Sequence, residues 1–518
     1  MMSSFTFYDW LLAFLPILTI LILMLCFRWG GAEAGAVGWV MAVLIAACRF
    51  GAGWQLLMYA QLKGLLLTIY VLYITWAALL FYRVTDEAGA VKTIGTILTR
   101  LTPDRGLQVL LLGWAFSSFL QGVGGFGVPV AVIAPLLMSM GFPPLAAVVI
   151  PSVGHAWAVT FGSLGTSFYA LIAATGRSGA ELAPWSAALL GLACFACGAG
   201  TLWAAGGWPT LKVGLLPLSL IWLAMSTAQF LTVTHGLWSI GAMVGGLTGL
   251  AVGIAWARHR HKHDRGDQGS RQDSHMPSAH ALLPYALVVI VVLVAELVRP
   301  VHEFLGQVVI QVEFPELATA RGWVTPAGPG RTISIFGHAG ALLVYASLIT
   351  CGVFWRQKHY RPGAARRIVR SVVEKATRSS LGVAAMVGMA VTMEHAGMTH
   401  LLAEGLVRLA GSVFPLISPF IGAIGAFMTG SNTNSNVVFG SLQQQVAVLL
   451  GISPQIILAA QTAGGAIGSL FAPAKVIVGC STVGLGGREG PAVEATLRYG
   501  LVIVAGVSLA TGALIYLR

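Results

Sequence analysis

Charged side chains are scarce in this sequence. Only 9% of its 518 residues are Asp, Glu, Lys or Arg, and 57% are hydrophobic, whereas soluble proteins carry about 25% charged residues. With a mean hydropathy of +0.82, the chain is too apolar to be a string of water-soluble domains. Acids are the scarcer sign, 18 against 30 Lys and Arg, for a net charge of +12. That excess does not form a nucleic-acid patch. It falls in loops between apolar runs, as the positive-inside rule requires of a membrane protein.

Several motifs are missing. No G-x-x-x-x-G-K-[ST] cradle occurs, so direct use of ATP is unsupported. No His-Glu-x-x-His and no carboxylate pair lies within an apolar span, which argues against an intramembrane enzyme. Cysteine is sparse: Cys26, Cys48, Cys194, Cys197, Cys351 and Cys480 lie mostly inside or at the ends of apolar runs. The Cys194-Phe-Ala-Cys197 spacing lacks the βαβ context of a redox motif, so these residues read as small buried hydrophobes. The first apolar run, Leu11 to Phe27, has no basic residue before it and no small-x-small cleavage site after it. It reads as a retained first span.

What the chain has in plenty is apolar runs and glycine. Runs able to cross roughly 30 Å of hydrocarbon recur from end to end, and 64 glycines suit helices that pack closely or break in mid-membrane. The expected fold is all-α and polytopic, with about 12–14 transmembrane helices plus half-helices. Arg258–His280 and Arg356–Arg378 are both rich in Lys and Arg, which places both in the cytoplasm. Two spans lie between them, so Arg299–Arg331 falls outside. Three regions are expected: a first membrane half over 1–257, a basic His-rich linker over 258–280 and a second membrane half over 281–518. The linker run His259-Arg-His-Lys-His263 resembles a metal-binding tract, but no carboxylate or Cys cluster completes it, and no metal is expected.

The chain also repeats itself. Gly141-Phe-Pro-Pro144 followed by Gly154 matches Gly451-Ile-Ser-Pro454 followed by Gly464 at an offset of 310. Upstream of each copy is an interruption, near 121–129 and near 430–436. Paired interruptions in two halves are the best sequence pointer to a transporter's binding site, and inverted repeats are the commoner design. In the first, Gln121, Gly122, Gly124, Gly125, Phe126 and Gly127 let backbone approach a ligand without side chains in the way. In the second, Ser431, Asn432, Thr433, Asn434, Ser435 and Asn436 place hydroxyls and amides where lipid tolerates none, so they must line a cavity. Helix-end amides and hydroxyls there can hold a carboxylate. Thr462, Gly464 and Gly465 follow in the second copy.

Phe119-Leu-Gln-Gly-Val-Gly-Gly-Phe-Gly-Val-Pro-Val130 and Phe427-Met-Thr-Gly-Ser-Asn-Thr-Asn-Ser-Asn436, with Thr102-Pro-Asp-Arg-Gly-Leu-Gln108, Gly141-Phe-Pro-Pro144, Thr462-Ala-Gly-Gly465 and Val483-Gly-Leu-Gly-Gly-Arg-Glu489, resemble the L-lactate permeases. That resemblance covers most of the chain and implies a carrier of lactate, glycolate or a similar 2-hydroxy acid. Ser431-Asn-Thr433 is also similar to the signature of the dicarboxylate/sodium symporters, which implies paired re-entrant hairpins and alternating access around a midplane site. The resemblance further implies Glu at Gln121 and Asp at Asn432; both are neutral amides here. It implies a neutral side chain where this chain has Lys475. The expectation is that Lys475 pairs with the substrate carboxylate or occupies the place of a coupling cation.

His155 and Glu394 remain as groups that could handle a proton. His338 reads as a helix-packing residue, and Trp10, Trp54, Trp185, Trp208, Trp323 and Trp355 as interfacial anchors. The expected partners are a small organic anion, the lipid bilayer and an H+ or Na+ co-substrate; no cofactor and no nucleic acid is expected. A homodimer is left open. Other organic anions, sulfonates or dicarboxylates, stand as the alternative cargo.

Overall fold

A computed structural model of the chain describes residues 6–27, 29–99, 101–125, 127–260, 276–486 and 489–517. Phe126 and the linker residues 261–275, with most of the His-rich run, lie outside them. In chain order the helices are α1 (Phe7–Leu25), α2 (Gly31–Cys48), α3 (Trp54–Glu87), α4 (Ala90–Thr99), α5 (Arg105–Gln108), α6 (Ser117–Gly124), α7 (Val128–Ser139), α8 (Pro144–His155), α9 (Thr166–Thr175), α10 (Gly179–Thr234) and α11 (Gly241–Arg260). The second half holds α12 (Ser278–Leu297), α13 (Arg299–Leu305), α14 (Ala339–Arg356), α15 (Ala364–His395), α16 (Met398–Ala410), α17 (Phe414–Thr429), α18 (Asn432–Leu449), α19 (Pro454–Gly468), α20 (Pro473–Thr482) and α21 (Gly490–Tyr516). Residues 109–116 join α5 to α6 as a π-helical stretch. The 56-residue α10 is bent at Gly206 and Gly207, whose backbone is not helical.

Nine helical segments among the described residues are long and apolar enough to cross a membrane. That measure counts α10 once although its bend gives two legs, and it passes over α11 and α15, whose basic ends lower their hydropathy. The only strands among the described residues are six two-residue pieces forming three short antiparallel ladders: β1 (Val309–Ile310) with β6 (Ile333–Ser334), β2 (Glu313–Phe314) with β5 (Gly328–Pro329), and β3 (Leu317–Ala318) with β4 (Val324–Thr325). They fold the Arg299–Arg331 loop into a narrow hairpin, which the sequence reading did not anticipate. Its strands are too short for their alternation to register.

The helices pair as two copies of one unit. α1, α2, α3 and α4 correspond to α12, α14, α15 and α16; α5–α6, α7, α8, α9 and the first leg of α10 correspond to α17, α18, α19, α20 and α21. Contacts respect the exchange. α2 packs on α15 as α14 packs on α3; α9 packs on α18 as α20 packs on α7; α10 packs on α19 as α21 packs on α8. The second leg of α10 and α11 follow the first unit in the chain, and α11 packs on its α6 and on the π-helical stretch.

Polar contacts at the helix ends give the orientation of each copy. Arg260 meets Asp104 at 3.7 Å, Arg367 meets Glu87 at 2.6 Å and Arg105 stacks over Phe142 at 5.4 Å. These put both ends of the first hairpin, α5–α6 and α7, on the side of the basic loops. On the other side, Asp9 binds Arg49 at 2.5 Å and Arg321 at 3.7 Å, the Ala320 amide donates to the Gly51 carbonyl at 2.8 Å, and the Tyr516 hydroxyl donates to the Ser412 carbonyl. Ser412 precedes α17, so the second hairpin, α17 and α18, opens toward that opposite side. The two units are therefore inverted. On this topology the crossing helices among the described residues are α1, α2, α3, the broken pair α8 and α9, both legs of α10, α11, α12, α14, α15, the broken pair α19 and α20, and α21, twelve in all, while Arg105–Gly124 and the α17 part of Met398–Thr429, although long and apolar enough to cross, serve as arms of two re-entrant hairpins.

In lipid, helices associate through close packing because hydrocarbon gives no hydrophobic drive between them. Glycine supplies that contact here. A Cβ on Gly154 would strike the Gly113 carbonyl, and one on its repeat mate Gly464 would strike the Pro419 carbonyl. These two glycines hold each re-entrant hairpin against the broken helix that follows it.

Candidate functional site

Four chain breaks converge between the two units. Each repeat has one at its hairpin tip, at Gly125–Gly127 and Gly430–Ser431, and one in its broken helix, at 159–165 and 469–472. Tight backbone turns make them: φ is +21° at Gly125, +82° at Gly127 and +68° at Gly430. In the second break of the first repeat, Ser163 at φ +47° and Leu164 at φ +55° hold the left-handed conformation without being glycine, a strain that accumulates at functional sites. The turn is held by the Ser163 amide donating to the Gln121 carbonyl at 2.7 Å and the Leu164 amide donating to the Gly122 carbonyl at 2.9 Å. The first hairpin tip is thus clamped to its own broken helix.

Between the breaks is a cavity of about 270 Å³. Its wall includes Gln121, Ser163, Thr166, Ser167, Ser431, Asn432, Thr433, Asn434 and Lys475. No carboxylate lines it among the described residues. Three half-helices begin at this wall: α18 behind Ser431, α9 behind Gly165 and α20 behind Ala472, the last two without a side-chain cap. Each directs the positive end of its dipole at the cavity, although part of each first turn is already paired: the Thr166 and Phe168 amides donate to the Ser163 and Thr160 carbonyls, the Lys475 amide to the Ala472 carbonyl and the Asn434 amide to the Ser431 hydroxyl. Lys475, in the first turn of α20, adds a full positive charge. Its ammonium donates to the Ser469 hydroxyl at 3.0 Å, which leaves two donors for other partners.

The opposite polarity is also supplied. Gln121 Oε1, Asn432 Oδ1 and Asn434 Oδ1 are buried acceptors that no described group satisfies, and a buried acceptor without a donor costs about 1–3 kcal/mol. The Asn432 amide NH2 is already committed to Thr160 Oγ1 at 3.2 Å and Thr462 Oγ1 at 3.3 Å, so its oxygen faces away from them. Gly465 leaves room for it, since a Cβ there would run into that oxygen.

A polar seam behind the cavity joins the repeats. Thr160 Oγ1 is 3.1 Å from both the carbonyl and the hydroxyl of Thr462. Asn436 donates to the Ser167 carbonyl and to Thr462 Oγ1, both at 2.9 Å, and the Ser167 and Thr433 hydroxyls meet at 3.1 Å.

The residues singled out in the sequence therefore take different places. Gln121, Ser431, Asn432, Thr433, Asn434 and Lys475 face the cavity. Asn436, Thr462 and Gly465 stand behind it in the seam. Ser435 donates to the Gly422 carbonyl at 2.8 Å and is a packing residue. Gly122 and Gly124 let α6 lie against Met243 and Tyr82, and Gly464 packs on Pro419. Gly125 and Gly127 shape the tip. His155 is fully buried in α8, its Nδ1 at 2.5 Å from the Pro151 carbonyl, and is not part of the cavity wall. Glu394 lies away from the cavity, 3.2 Å from the Ser441 hydroxyl. Thr160, Ser163, Thr166 and Ser167 were missed. Their run, Thr160-Phe-Gly-Ser-Leu-Gly-Thr-Ser167, has the same mixture of hydroxyls and glycine as the 430–436 stretch, and that mixture inside an apolar run was the available signal.

Comparison with known proteins gives a family match over nearly the whole chain. A family model described as L-lactate permease matches residues 9–518. The L-lactate permease of Halalkalibacterium halodurans is 26% identical over 96% of this chain and 96% of its own length. The glycolate permease GlcA of Escherichia coli is 26% identical over 97% of this chain and 94% of its own. The L-lactate permease of Bacillus subtilis is 25% identical over 97% and 95%. Among solved structures, the YdaH transporter of Alcanivorax borkumensis superposes with a TM-score of 0.46 at 15% identity, over 86% of this chain and 85% of that one.

Proposed function

The chain belongs to the L-lactate permease family, and on that premise we propose that it carries L-lactate, glycolate or a similar 2-hydroxy monocarboxylate across the cytoplasmic membrane by alternating access. One observation carries this reading: the cavity pairs a positive pole, made by Lys475 and three half-helix starts, with unsatisfied amide oxygens. A carboxylate needs donors and positive potential, whereas an alcohol needs an acceptor for its proton. A 2-hydroxy acid presents both within a few ångströms. Its carboxylate sits toward Lys475 and the first turns of α9, α18 and α20, and its hydroxyl donates to the oxygen of Gln121 or Asn434.

A cavity of about 270 Å³ suits an anion of a few carbon atoms. The seam through Thr160, Ser167, Thr462 and Asn436 ties the two inverted units to each other at the site, so a rocking or elevator-like motion of the hairpins would carry the cavity from one face to the other. With Gln121 and Asn432 neutral, neither hairpin tip offers a titrating group.

Competition against uptake of labelled L-lactate into proteoliposomes tests the reading. Glycolate should compete within a few-fold of lactate, and acetate and propionate, lacking the hydroxyl, about 5- to 150-fold more weakly, since an unpaired acceptor is worth about 1–3 kcal/mol. Equal competition by propionate would remove the hydroxyl from the argument, and preferential competition by a sulfonate or dicarboxylate would replace the cargo.

A further inference from the structure

Glu394 stands where α15 meets α18 of the second hairpin. It lies near the end of α15, on the side of Asp9 and Arg321, and its Oε2 is 3.2 Å from the Ser441 hydroxyl of α18. The same hydroxyl is 2.8 Å from the Ala174 carbonyl. Ala174 belongs to the last turn of α9, where helix carbonyls have no partner of their own. Ser441 thus joins three helices, two of which begin at the cavity wall. Ser441 is ten residues beyond Ser431, about 15 Å along the helix.

A serine hydroxyl has one hydrogen to give. The Ala174 carbonyl can only accept, and it makes the shorter contact, so that hydrogen is committed to it. Ser441 then turns lone pairs toward Glu394. A carboxylate oxygen would face them in repulsion, whereas a carboxylic acid donates its O–H to them and satisfies every atom. The surroundings agree. α18 and α9 carry no charged residue, and the acid of α2, Glu33, is at the far end of that helix. On α16, His400 and Glu404 pair with each other at 3.4 Å. His395, next along α15, has its Nδ1 on the Val391 carbonyl at 2.9 Å. The cation that faces Glu394 is Lys63 of α3, which acts on it through space, and no ion pair within 4.0 Å joins them among the described residues. The Lys63 ammonium instead rests 5.0 Å from the Phe314 ring centroid.

Resting on the lactate-carrier reading, we propose that Glu394 carries the proton that couples transport: it is protonated while α15 is docked on Ser441, as here, and gives up that proton when α18 and α9 move. Only the O–H bond changes. The proton leaves to water, the electron pair stays on the carboxylate, and Lys63 balances the new charge. The neutral amides at Gln121 and Asn432 then leave the cavity free for the anion, with the coupling group set apart from the binding group.

The test uses the full chain in proteoliposomes and two readouts: accumulation of labelled lactate driven by a pH gradient, and lactate counterflow without one. Glu394→Gln should lose gradient-driven accumulation, falling to the gradient-free control, and keep counterflow, which also demonstrates folding. Ser441→Ala, which removes the acceptor of the acid proton, should shift the pH profile of uptake to lower pH. Accumulation by Glu394→Gln equal to wild type overturns the proposal, as does loss of counterflow in that variant together with an unmoved Ser441→Ala profile. Wild-type protein that exchanges lactate but gains nothing from a pH gradient overturns it as well, whereas wild type that does not exchange lactate overturns the cargo assignment instead.

Discussion

The two inverted units fold alike yet bring different chemistry to their shared cavity. The first contributes mainly shape: glycines at Gly125 and Gly127, a strained turn at Ser163 and Leu164, and hydroxyls on Thr160 and Ser167, with the start of α9 and the single amide of Gln121 beside them. The second contributes polar amides from Asn432 to Asn436 and the charge of Lys475. A repeat fixes where backbones break and where helices start, because packing decides those. It leaves the side chains at the breaks free to diverge, so one copy can hold the anion's charge while the other provides room for its body.

That division is open to attack from both sides. The largest effect is expected from Lys475→Ala, which removes the only full charge in the cavity wall among the described residues. Loss of one partner of a buried ion pair costs about 3 kcal/mol, roughly a 100-fold fall in kcat/KM for lactate uptake, with Lys475→Arg recovering part of it. Unchanged transport would make Lys475 an interfacial side chain and take the charge away from the second unit.

Next is Gly125→Ala in the first unit. The new Cβ would run into the Ser163 hydroxyl at a backbone angle that disfavours side chains, so crowding of about 1–3 kcal/mol is expected. Uptake should fall and the melting temperature in detergent should drop. Wild-type behaviour would show that the tip has slack and that shape is not what this unit supplies.

Asn436→Ala bears on the seam between the units. Removing its amide takes one donor from the Ser167 carbonyl and one of three partners from the Thr462 hydroxyl, for about 0.5–1.5 kcal/mol of stability, read as a lower Tm with substrate competition unaltered. The smallest change is expected from Thr433→Ala, which gives up one hydroxyl contact to Ser167, about 0.5–1.5 kcal/mol. It should raise KM by a few-fold and leave Tm nearly unmoved. If Thr433→Ala outweighs Lys475→Ala, binding at the site is governed by hydroxyl contacts and the second unit's charge is secondary.

Much of this architecture could be read before any coordinates. Low charge and long apolar runs dictated membrane helices, because lipid admits only backbone that satisfies itself. The 310-residue offset announced two units, and polar residues inside apolar runs announced a lined cavity. The 430–436 stretch was legible because amides are conspicuous among Phe427, Met428, Val437 and Val438. The 160–167 stretch was harder to see, since its hydroxyls and glycines also occur in ordinary membrane helices.

Sequence alone determined the solvent of this protein, the fact of repetition and the residue types available at the breaks, since composition and periodicity are local properties of the chain. Tertiary structure decided the rest. The hand-over of α9 to α18 and of α20 to α7 brings two pairs of breaks, one pair from each repeat, to one point, and helix-end contacts make the units inverted. Proximity also put Lys475 on the cavity wall while leaving His155 behind it, because which face of a half-helix meets the ligand depends on how its neighbours pack, and no single run of residues encodes that.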